Sequence, residues 1–358
     1  MTGIVGCGNV PVIVAVNQEE NMPSIRDVAK YVGCSTSTVS RVINRRDAVD
    51  PETRRRVLEA VELLGFRPNL IAKGLRVRRG NLLGLVLPQV STTVHSFITQ
   101  YALDAANQRG YNVVIVNSHD DPGLEERNVQ DLLLRNINGI IFCRVSDESR
   151  IVSKIVRERI PIVVIDRAFE RENVPNVILD NQKAGYLAGK HLAGFHHRRI
   201  ACVTGPMKIT LCRERMIGFR RALEEDGIDL GSGCIFEGDF SFKAGLEAVP
   251  HFQEKQASIT AIWAMNDMMA FGLLKGLYQR GIKVPDDVSV MGLDDHAFGV
   301  MCTPSLTTIH YPFKDLAEKA IEIVTKQIES LAEVPEAILL APSLIVRHST
   351  APAKEISA

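Results

Sequence analysis

The sequence lacks the cysteine pattern of a disulfide framework or a structural zinc site. Its seven cysteines are odd in number and scattered over 358 residues, and no two of them form a Cys-x-x-Cys pair. Disulfide-rich secreted domains carry paired cysteines, and structural zinc sites carry closely spaced ones. His196 and His197 are adjacent, but neighbouring histidines in a basic loop are more typical of solvated side chains than of metal ligands. We therefore predict reduced thiols, a cytoplasmic protein, and no metal or other cofactor.

Membrane-spanning and secretory segments are missing as well. Residues 1–21 are largely apolar, but glycine, asparagine and proline interrupt them, and no lysine or arginine precedes them. Such a run is too short to span a membrane and lacks the basic start of a secretory signal. The sequence therefore predicts no membrane association.

Catalytic signatures are absent too. The sequence contains no nucleophile elbow, no phosphate-binding loop and no triad order of Ser, His and Asp. No G-x-G-x-x-G motif stands between a predicted strand and a helix, which argues against a dinucleotide-binding fold. We expect that the protein is not an enzyme.

Charge is balanced overall but not along the chain. The totals are 42 basic and 42 acidic residues, yet residues 22–80 hold 13 basic against 6 acidic, a local charge of +7. Residues 81–358 hold 29 basic against 34 acidic, or −5. A basic head on a mildly acidic body is typical of a modular nucleic-acid-binding protein.

The basic head contains the pattern of two short helices joined by a tight turn. Ser24 can cap the first helix with Asp27 three residues later, Gly33 permits the turn, and Ser35 can cap the second helix. The second helix packs inward through apolar residues and can point four others outward: Thr36, Ser37, Ser40 and Arg41. This pattern indicates a helix-turn-helix that places its second helix in the DNA major groove. A surface helical hairpin with solvated hydroxyls is the alternative.

A third helix follows, with a strong start at Asp50-Pro51-Glu52-Thr53 and a stop at Gly65. Val57, Leu58, Val61 and Leu64 form its predicted buried stripe. The segment from Met22 to Leu87 resembles the DNA-binding domain and hinge helix of the LacI/GalR family of bacterial repressors. The residues that carry the resemblance are DVAKYVG, STSTVSRVIN, ETRRRV and LGFRPNLIAKGLR leading to NLLGLVLP.

The resemblance implies a helix-turn-helix domain over 22–67 and a hinge helix and linker over 68–80. It implies a homodimer on palindromic double-stranded operator DNA, with Leu75 wedged into the minor groove at the dyad. The DNA-binding residues that it implies, together with the outward positions of the second helix, are Ser24, Ser35, Thr36, Ser37, Thr38, Ser40, Arg41, Asn44, Asn69, Ala72, Lys73, Leu75 and Arg76. Family members usually begin where Met22 stands, so residues 1–21 are interpreted as a disordered extension or a start-site artefact. A short extra strand is the alternative.

From residue 81 short apolar runs alternate with amphipathic helices, which indicates parallel strands covered on both faces. There are too many such units for one ordinary sheet. The predicted fold is an N-terminal all-α helix-turn-helix domain plus an α/β two-lobe periplasmic-binding-protein-like domain with parallel sheets, over 81–350. Lobe 1 would take 81–180 and 311–339, and lobe 2 would take 181–308 and 340–350. Residues 351–358 form a tail. The chain after Leu340 lacks the leucine heptad that makes some members of the family tetramers, so we expect dimers.

Several predicted strands end in polar residues, and ligands of parallel sheets bind at those ends. Carboxylates, guanidinium groups, an amide and an aromatic ring suit a polyhydroxylated ligand, either a sugar or a nucleoside-like compound. The predicted effector-binding residues are Phe97, Asp166, Arg167, Arg213, Arg215, Phe240, Asn266 and Asp294. Asp267 and Asp295 are interpreted as mainly structural. Two alternatives stay open: Phe240 as core packing, and Arg213 as a solvent-exposed side chain.

The family resemblance assigns the chief effector arginine to Arg215 and an effector aspartate to Asp294. The Asp166-Arg167 pair is similar to that of ribose-type sugar-binding proteins, which favours a ribose- and purine-repressor-like branch. The chain departs from the family at Ser91 to Phe97, where Asn-Pro-Phe is usual, and at His196, where a helix-ending glycine is usual. His196 is therefore expected to bear a positive φ at some strain.

Taken together, these features predict an effector-controlled, sequence-specific transcriptional repressor. A solute-binding protein of a transport system with an unrelated basic head is the alternative.

Overall fold

The computed structural model describes residues 23–43, 49–66, 81–147, 150–170, 172–255, 259–330 and 335–354. These residues fall into two compact units, with the boundary between Arg79 and Gly80. The predicted extension 1–21, Asn44 and the predicted hinge 68–80 lie outside the described residues, as do four residues at the end of the predicted tail.

The first unit consists of the helices α1 (Ile25–Val32), α2 (Thr36–Ile43) and α3 (Pro51–Leu63). The predicted caps are confirmed. The backbone N–H and the hydroxyl of Ser24 both donate to Asp27 Oδ2, at 2.8 and 2.7 Å. Thr38 N donates to Ser35 Oγ at 3.1 Å, and Thr53 N donates to an Asp50 carboxylate oxygen at 3.0 Å.

The core of this unit is made of small apolar side chains, all of them valine or alanine. Val28, Val39 and Val57, one from each helix, are fully buried and pack together. The predicted stripe of α3 is wrong at Leu58, which is 49% exposed, while Ala60 is buried. The reason is that α1 and α2 cover only the narrow face at three-residue spacing from Val57, so the neighbouring position turns outward.

The second unit contains two six-stranded sheets. Its strands are β1 (Leu82–Leu87), β2 (Asn112–Asn117), β3 (Gly139–Phe142), β4 (Ile162–Ile165), β5 (Asn176–Leu179), β6 (Ile200–Thr204), β7 (Ile235–Glu237), β8 (Ala261–Ala264), β9 (Ser289–Asp294), β10 (Thr307–His310), β11 (Ala337–Leu340) and β12 (Ser343–Ile345). The first sheet has the order β11-β5-β4-β3-β1-β2, and the second has the order β12-β10-β9-β8-β6-β7. Most of the Val/Ile-rich runs thus lie in buried central strands, but β2 is an edge strand and is only partly buried.

The helices of the second unit connect these strands. They are α4 (Thr93–Gln108), α5 (Pro122–Leu134), α6 (Ile151–Arg157), α7 (Asn181–Gly194), α8 (Thr210–Glu224), α9 (Phe242–Lys255), α10 (Asp267–Gln279), α11 (Phe298–Met301) and α12 (Phe313–Glu329). Helix α4 begins at Thr93, because the side chain of Thr92 caps it.

The chain passes between the sheets at three places. It leaves the first sheet after β5 and after β11, and it leaves the second sheet after β10. Parallel strands of both sheets therefore direct their carboxyl ends toward the crossings. Strand β12 differs from the prediction of parallel sheets, because it is antiparallel to β10. It enters the second sheet at the crossing where β10 leaves, so it must run the opposite way.

The segment that the sequence assigned to a tail begins with contacts to strand β9 and to the end of helix α7. Ala351 N donates to Ser289 Oγ at 3.0 Å, and Ala353 N donates to Phe195 O at 2.8 Å. Among the described residues, no helix combines the length and the apolar character needed to cross a bilayer.

The two adjacent histidines behave differently from each other. His196 has φ +61°, which confirms the expected positive φ. The interpretation of His197 as a solvated side chain is wrong: it is 2% exposed, and its ring nitrogens hydrogen-bond to Thr260 Oγ1 at 3.0 Å and to Ala351 O at 3.0 Å. Burial lowers the pKa of His197, so the neutral ring is favoured. Its contact with residue 351, far along the chain, has no local sequence signal.

Candidate functional sites

The second helix of the first unit presents a polar surface. Thr36, Ser37 and Arg41 are exposed, whereas Val39 and Val42 are buried against α1 and α3. These outward residues are short hydroxyl side chains with one long donor, the types that reach base edges and phosphates in a major groove.

Three hydroxyls at the start of α2 hydrogen-bond to one another. Ser35 Oγ lies 2.8 Å from Thr38 Oγ1 and 2.7 Å from Ser37 Oγ. Arg56 Nη2 donates to Val32 O at 2.7 Å and so ties α3 to the carboxyl end of α1. The turn between the helices uses Gly33 at φ +73°, a conformation that favours glycine.

In the second unit, strained backbone is concentrated at the ends of strands. Asp166, Phe240, Asp294 and Asp295 all have positive φ, at 63°, 68°, 129° and 59°. Asp166 follows β4, and Asp294 is the last residue of β9. Non-glycine residues avoid this region, and such strain persists where the surroundings impose it, which is often at functional sites.

Arg215 is held rigidly in helix α8 and is 4% exposed. Its Nε donates to Asn181 Oδ1 at 2.9 Å, and its Nη1 donates to Met265 O at 2.7 Å. These two acceptors come from the crossing after β5 and from the end of β8. The guanidinium group is therefore oriented before any ligand arrives.

Asp294 and Asp267 form a buried acidic pair beside Arg215. Burial raises the pKa of Asp294 well above its usual value, the charge of Asp267 raises it further, and Arg215 opposes both effects. Burial likewise raises the pKa of Asp267 to about 6, against hydrogen bonds from Thr308 Oγ1 and His296 N, each at 2.7 Å. Asp267 thus holds the loop after β9 through these two hydrogen bonds, which agrees with its interpretation as a mainly structural residue.

Asp166 faces this pair from the first sheet. It is 7% exposed, and its Oδ1 accepts from the hydroxyl of Tyr311 at 3.1 Å. It lies close enough that its charge also raises the pKa of Asp294. Phe97 stacks on Phe313 with ring centroids 5.7 Å apart and meets His296, from the second sheet, edge-on at 5.9 Å.

Three predicted residues are engaged mainly with the protein itself. Arg167 Nη1 donates to Arg144 O and Val145 O at 2.9 and 2.6 Å, although its buried Nε has no partner among the described residues. Asn266 caps α10 through Met269 N at 2.9 Å and donates to Phe240 O at 2.9 Å. The Phe240 ring is positioned so closely over Gly205 that a Cβ there would lie 2.1 Å from Cζ.

Arg213 forms an ion pair across the two lobes and does not face Asp166 or Asp294. Its Nη2 donates to Asp147 Oδ2 at 3.1 Å, and the same oxygen accepts from Thr210 N at 3.2 Å and Thr210 Oγ1 at 2.5 Å. Asp147 follows β3 of the first sheet, whereas Arg213 and Thr210 belong to α8 of the second lobe. Sequence reasoning missed Asp147, because nothing near it in the chain shows its partners.

The structure thus brings Asp166, Arg215 and Asp294 together where the two sheets meet, with Phe97 at the same junction. It also shows contributions that no local pattern predicted, from Asn181 and Tyr311. A three-helix unit with a polar outward face and a two-sheet α/β unit of this topology define a protein with a helix-turn-helix and a periplasmic-binding-protein-like domain.

Comparison with known proteins specifies the family. Residues 24–69 match the bacterial regulatory proteins of the lacI family, and residues 190–350 match the periplasmic binding protein-like domain. The chain is 32% identical to the HTH-type transcriptional regulator DegA of Bacillus subtilis (strain 168), over 92% of this chain and 98% of the relative. It is 31% identical to the ribose operon repressor of Escherichia coli (strain K12), over 92% of this chain and all of the relative. The protein belongs to the lacI family of bacterial regulatory proteins.

A solved structure agrees with this assignment. The lac repressor dimer bound to operator and the anti-inducer ONPF is 27% identical and covers 92% of this chain and 99% of that chain, with a TM-score of 0.84. The predicted fold of a helix-turn-helix domain followed by a two-sheet periplasmic-binding-protein-like domain is confirmed.

Proposed function

We propose that the protein is a sequence-specific DNA-binding repressor that acts as a cytoplasmic homodimer and whose operator affinity is set by a small polar effector. The observation that carries the proposal is the buried group Asp166, Arg215 and Asp294, which comes from both sheets and has strained backbone at two of its members. The polar face of α2 supplies the DNA-reading surface. Membership of a family of bacterial regulators supports this assignment over that of a transport solute-binding protein.

The chemistry of the site selects the effector class. Carboxylates accept hydrogen bonds from paired hydroxyls, and a pre-oriented guanidinium donates to ring or carbonyl oxygens. Phe97, Arg167 and Phe240 supply apolar and donor surface around them. A sugar or nucleoside-like compound has these groups, and the likeness to a ribose operon repressor supports a sugar.

The effector acts by preferring one arrangement of the lobes. A ligand changes DNA affinity only if it binds the operator-competent and incompetent arrangements differently, and the effect is reciprocal. The similar lac repressor binds its operator as a dimer, which supports the same assembly here. In this proposal Asn44 and the hinge residues Asn69, Ala72, Lys73, Leu75 and Arg76 also contact DNA, and Leu75 enters the minor groove.

The test measures the binding of operator DNA and of effector to the same protein. Operator is obtained by selection from random duplexes, and effectors come from a thermal-shift screen of sugars, nucleosides and sugar phosphates. Effector is then titrated against labelled operator for wild type, Arg215→Ala, Asp294→Ala and the near-isosteric Asp294→Asn. Arg221→Ala serves as the control, because Arg221 lies on the same helix with a side chain that is 72% exposed.

We expect wild type and Arg221→Ala to show an effector-dependent change of about 5–150-fold in operator affinity. The Arg215 and Asp294 variants should lose this change: they stay bound if the effector is an inducer and never bind tightly if it is a corepressor. A wild-type response in all variants contradicts the effector site. Failure of the wild-type protein to select any DNA sequence contradicts the repressor function itself.

A further inference from the structure

Three potential metal ligands from distant parts of the chain converge in the first lobe. His95 lies in α4, Cys143 follows β3 and Asp166 follows β4. One ligand atom of each lies within 4.8 Å of the other two, and the residues are 5%, 0% and 7% exposed. The proposed repressor function uses only Asp166 among them, so the cluster requires its own explanation.

Two of the three distances between the ligand atoms are close to those of a tetrahedral metal site, and the third, between His95 and Asp166, is within 4.8 Å. Cys143 Sγ lies 3.6 Å from His95 Nε2 and 3.8 Å from Asp166 Oδ2. Zinc bonds of about 2.0–2.3 Å at tetrahedral angles place such ligand atoms about 3.4–3.6 Å apart. Two edges of the site are therefore nearly of the right length before any ion enters.

The histidine already carries its proton on the nitrogen away from the cluster. His95 Nδ1 lies 2.8 Å from Gln89 O and 2.8 Å from Thr92 Oγ1. A carbonyl oxygen can only accept, so Nδ1 carries the hydrogen and Nε2 presents its lone pair to Cys143. Metal-binding histidines are typically oriented by this kind of second hydrogen bond.

The carboxylate is supported in the same way. Asp166 Oδ1 accepts from the hydroxyl of Tyr311 at 3.1 Å, which leaves Oδ2 directed at the cluster. The positive φ of Asp166, +63°, keeps this residue at the end of β4 in a conformation that other residues would avoid. Both flanking ligands thus have the outer partners that hold metal ligands in place.

We propose that His95 Nε2, Cys143 Sγ and Asp166 Oδ2 bind one divalent transition-metal ion of the zinc class. Nitrogen, thiolate and carboxylate ligands suit Zn²⁺ and Co²⁺, whereas Mg²⁺ and Ca²⁺ prefer oxygen alone. The Cys143 thiol releases its proton to solvent on binding, so the thiolate and the carboxylate together balance the ion's two charges. A water molecule completes the fourth position.

The sequence predicts no metal, because the three ligands have none of the close spacing that marks a metal site in a sequence. The ligands stand at 95, 143 and 166, and they meet because β1, β3 and β4 are neighbours whose carboxyl ends share one edge of the first sheet. Only the topology of the sheet reveals them.

The test uses full-length protein freed of metal with a chelator and titrated with Co²⁺. We expect a thiolate-to-cobalt charge-transfer band that saturates at one equivalent per chain and disappears when Zn²⁺ displaces the cobalt. Cys143→Ser should abolish the band, and His95→Gln and Asp166→Asn should weaken binding at least about tenfold. Cys202→Ser is the matched control, because Cys202 is equally buried, in β6 of the other sheet, and should leave the titration unchanged.

A variant of an outer hydrogen-bond partner and a check of the fold complete the test. Tyr311→Phe removes only the outer hydrogen bond to Asp166, so it should keep the band but weaken Co²⁺ binding about 10–100-fold. Circular dichroism and the unfolding temperature of each variant, measured without metal, show whether the fold is intact. A wild-type protein without the charge-transfer band overturns the site, and so does a band that persists in Cys143→Ser. Either result leaves the repressor function untouched, because DNA selection does not depend on the ion.

Discussion

At the scale of single residues, we expect the outward face of α2 to decide which DNA sequence is bound. Arg41 is exposed there, and its side chain is the one long, forked donor among the outward residues of α2. An arginine can donate two parallel hydrogen bonds to guanine O6 and N7, which hydroxyl side chains cannot do.

Arg41→Ala should therefore weaken operator binding by about 1–3 kcal/mol, while binding to random DNA falls much less. Fluorescence anisotropy with both DNAs at one fixed salt concentration measures the difference. Arg55→Ala is the control, because Arg55 lies on α3 and pairs with Glu52 and Glu59. An equal loss on operator and random DNA would show that Arg41 contacts only phosphate.

The buried carboxyl of Asp267 makes the stability of the fold depend on pH. The folded-state pKa of Asp267 is about 6 because the carboxyl is buried, whereas an unfolded aspartate titrates near 3.8. Between these values the folded state holds the proton more tightly, so the free energy of unfolding falls as pH rises. The destabilisation is complete above pH 6 and absent below the unfolded pKa.

Asp267→Asn removes this titration while keeping an acceptor for His296 N, and the Thr308 hydroxyl can rotate to accept from the amide. The unfolding temperature of wild type relative to this variant should fall between about pH 4 and 6. Asp287→Asn, at an exposed carboxyl with a lowered pKa, should not reproduce that trend. A constant difference between wild type and Asp267→Asn across the range would mean that Asp267 stays ionised.

At the scale of elements, helices α7 and α8 pack through glycine with their backbones in contact. A Cβ on Gly185 would lie 1.9 Å from Arg215 O, and a Cβ on Gly218 would lie 1.8 Å from Gln182 O. No methyl group fits there unless the helices separate. Since Arg215 is held by Asn181 of α7, this packing sets the position of the candidate effector arginine.

Gly185→Ala should therefore displace α8 and abolish the effector response, with a loss of stability of about 1–3 kcal/mol from overpacking. Gly194→Ala is the matched control on the same helix, because a Cβ there meets nothing within 4 Å. The control should be neutral or stabilising by up to about 1 kcal/mol, since alanine favours helix over glycine. Chemical denaturation and the effector titration measure both variants. A normal response in Gly185→Ala would show that Arg215 is positioned by other contacts.

The elements also show what the sequence can predict. Caps such as Ser24 with Asp27 and Asp50 with Thr53 depend on residues within three positions, so the local pattern contains all of their chemistry. The buried strands follow from continuous Val/Ile runs for the same reason. The direction of β12 depends instead on where the chain crosses between the sheets, and local patterns carry no such information.

In the candidate effector site as well, the sequence indicates single residues but not the contacts between distant ones. The sequence could propose Asp166 and Asp294, because each stands at the end of a predicted strand, and the family resemblance implied Arg215 and Asp294. It could not predict that Tyr311 donates to Asp166, because 145 positions separate them. Nor could it distinguish the bridging role of Arg213 from that of Arg215, two residues away, since only the partner Asp147 makes the difference.

At the scale of the whole α/β unit, the two lobes are closed on each other. Asp166, Arg215 and Asp294 are at most 7% exposed although all three stand at the junction. Contacts across the junction include Phe97 with His296 and Asp147 with Thr210 and Arg213. A ligand of the size of a sugar can reach the buried groups only if these contacts open, so they belong to the equilibrium that an effector shifts.

Asp147 accepts three hydrogen bonds across the junction, from Thr210 N, Thr210 Oγ1 and Arg213 Nη2. Burial raises its pKa, but hydrogen bonds from Thr210 and Arg213 outweigh that effect, and the net pKa is lowered. The ionised carboxylate therefore stabilises the closed arrangement at neutral pH, and this stabilisation is lost only as acid protonates the group. Its side chain is 27% exposed, so solvent screening limits the contribution to about 1 kcal/mol.

Asp147→Ala should shift the lobes toward the open arrangement by about that amount, or roughly fivefold in the equilibrium constant. Effector affinity should fall by the same factor if the closed form is the one that binds effector. Operator affinity without effector should then rise for an inducer and fall for a corepressor. Arg213→Ala removes one of the three hydrogen-bond donors to Asp147, so it should change both affinities in the same direction but by less. Glu322→Ala is the control: it breaks an exposed ion pair within α12 and should change neither affinity. Calorimetric effector titration and operator anisotropy on the same preparations measure both equilibria. Unchanged affinities in Asp147→Ala would mean that lobe closure is not the motion that links effector to DNA.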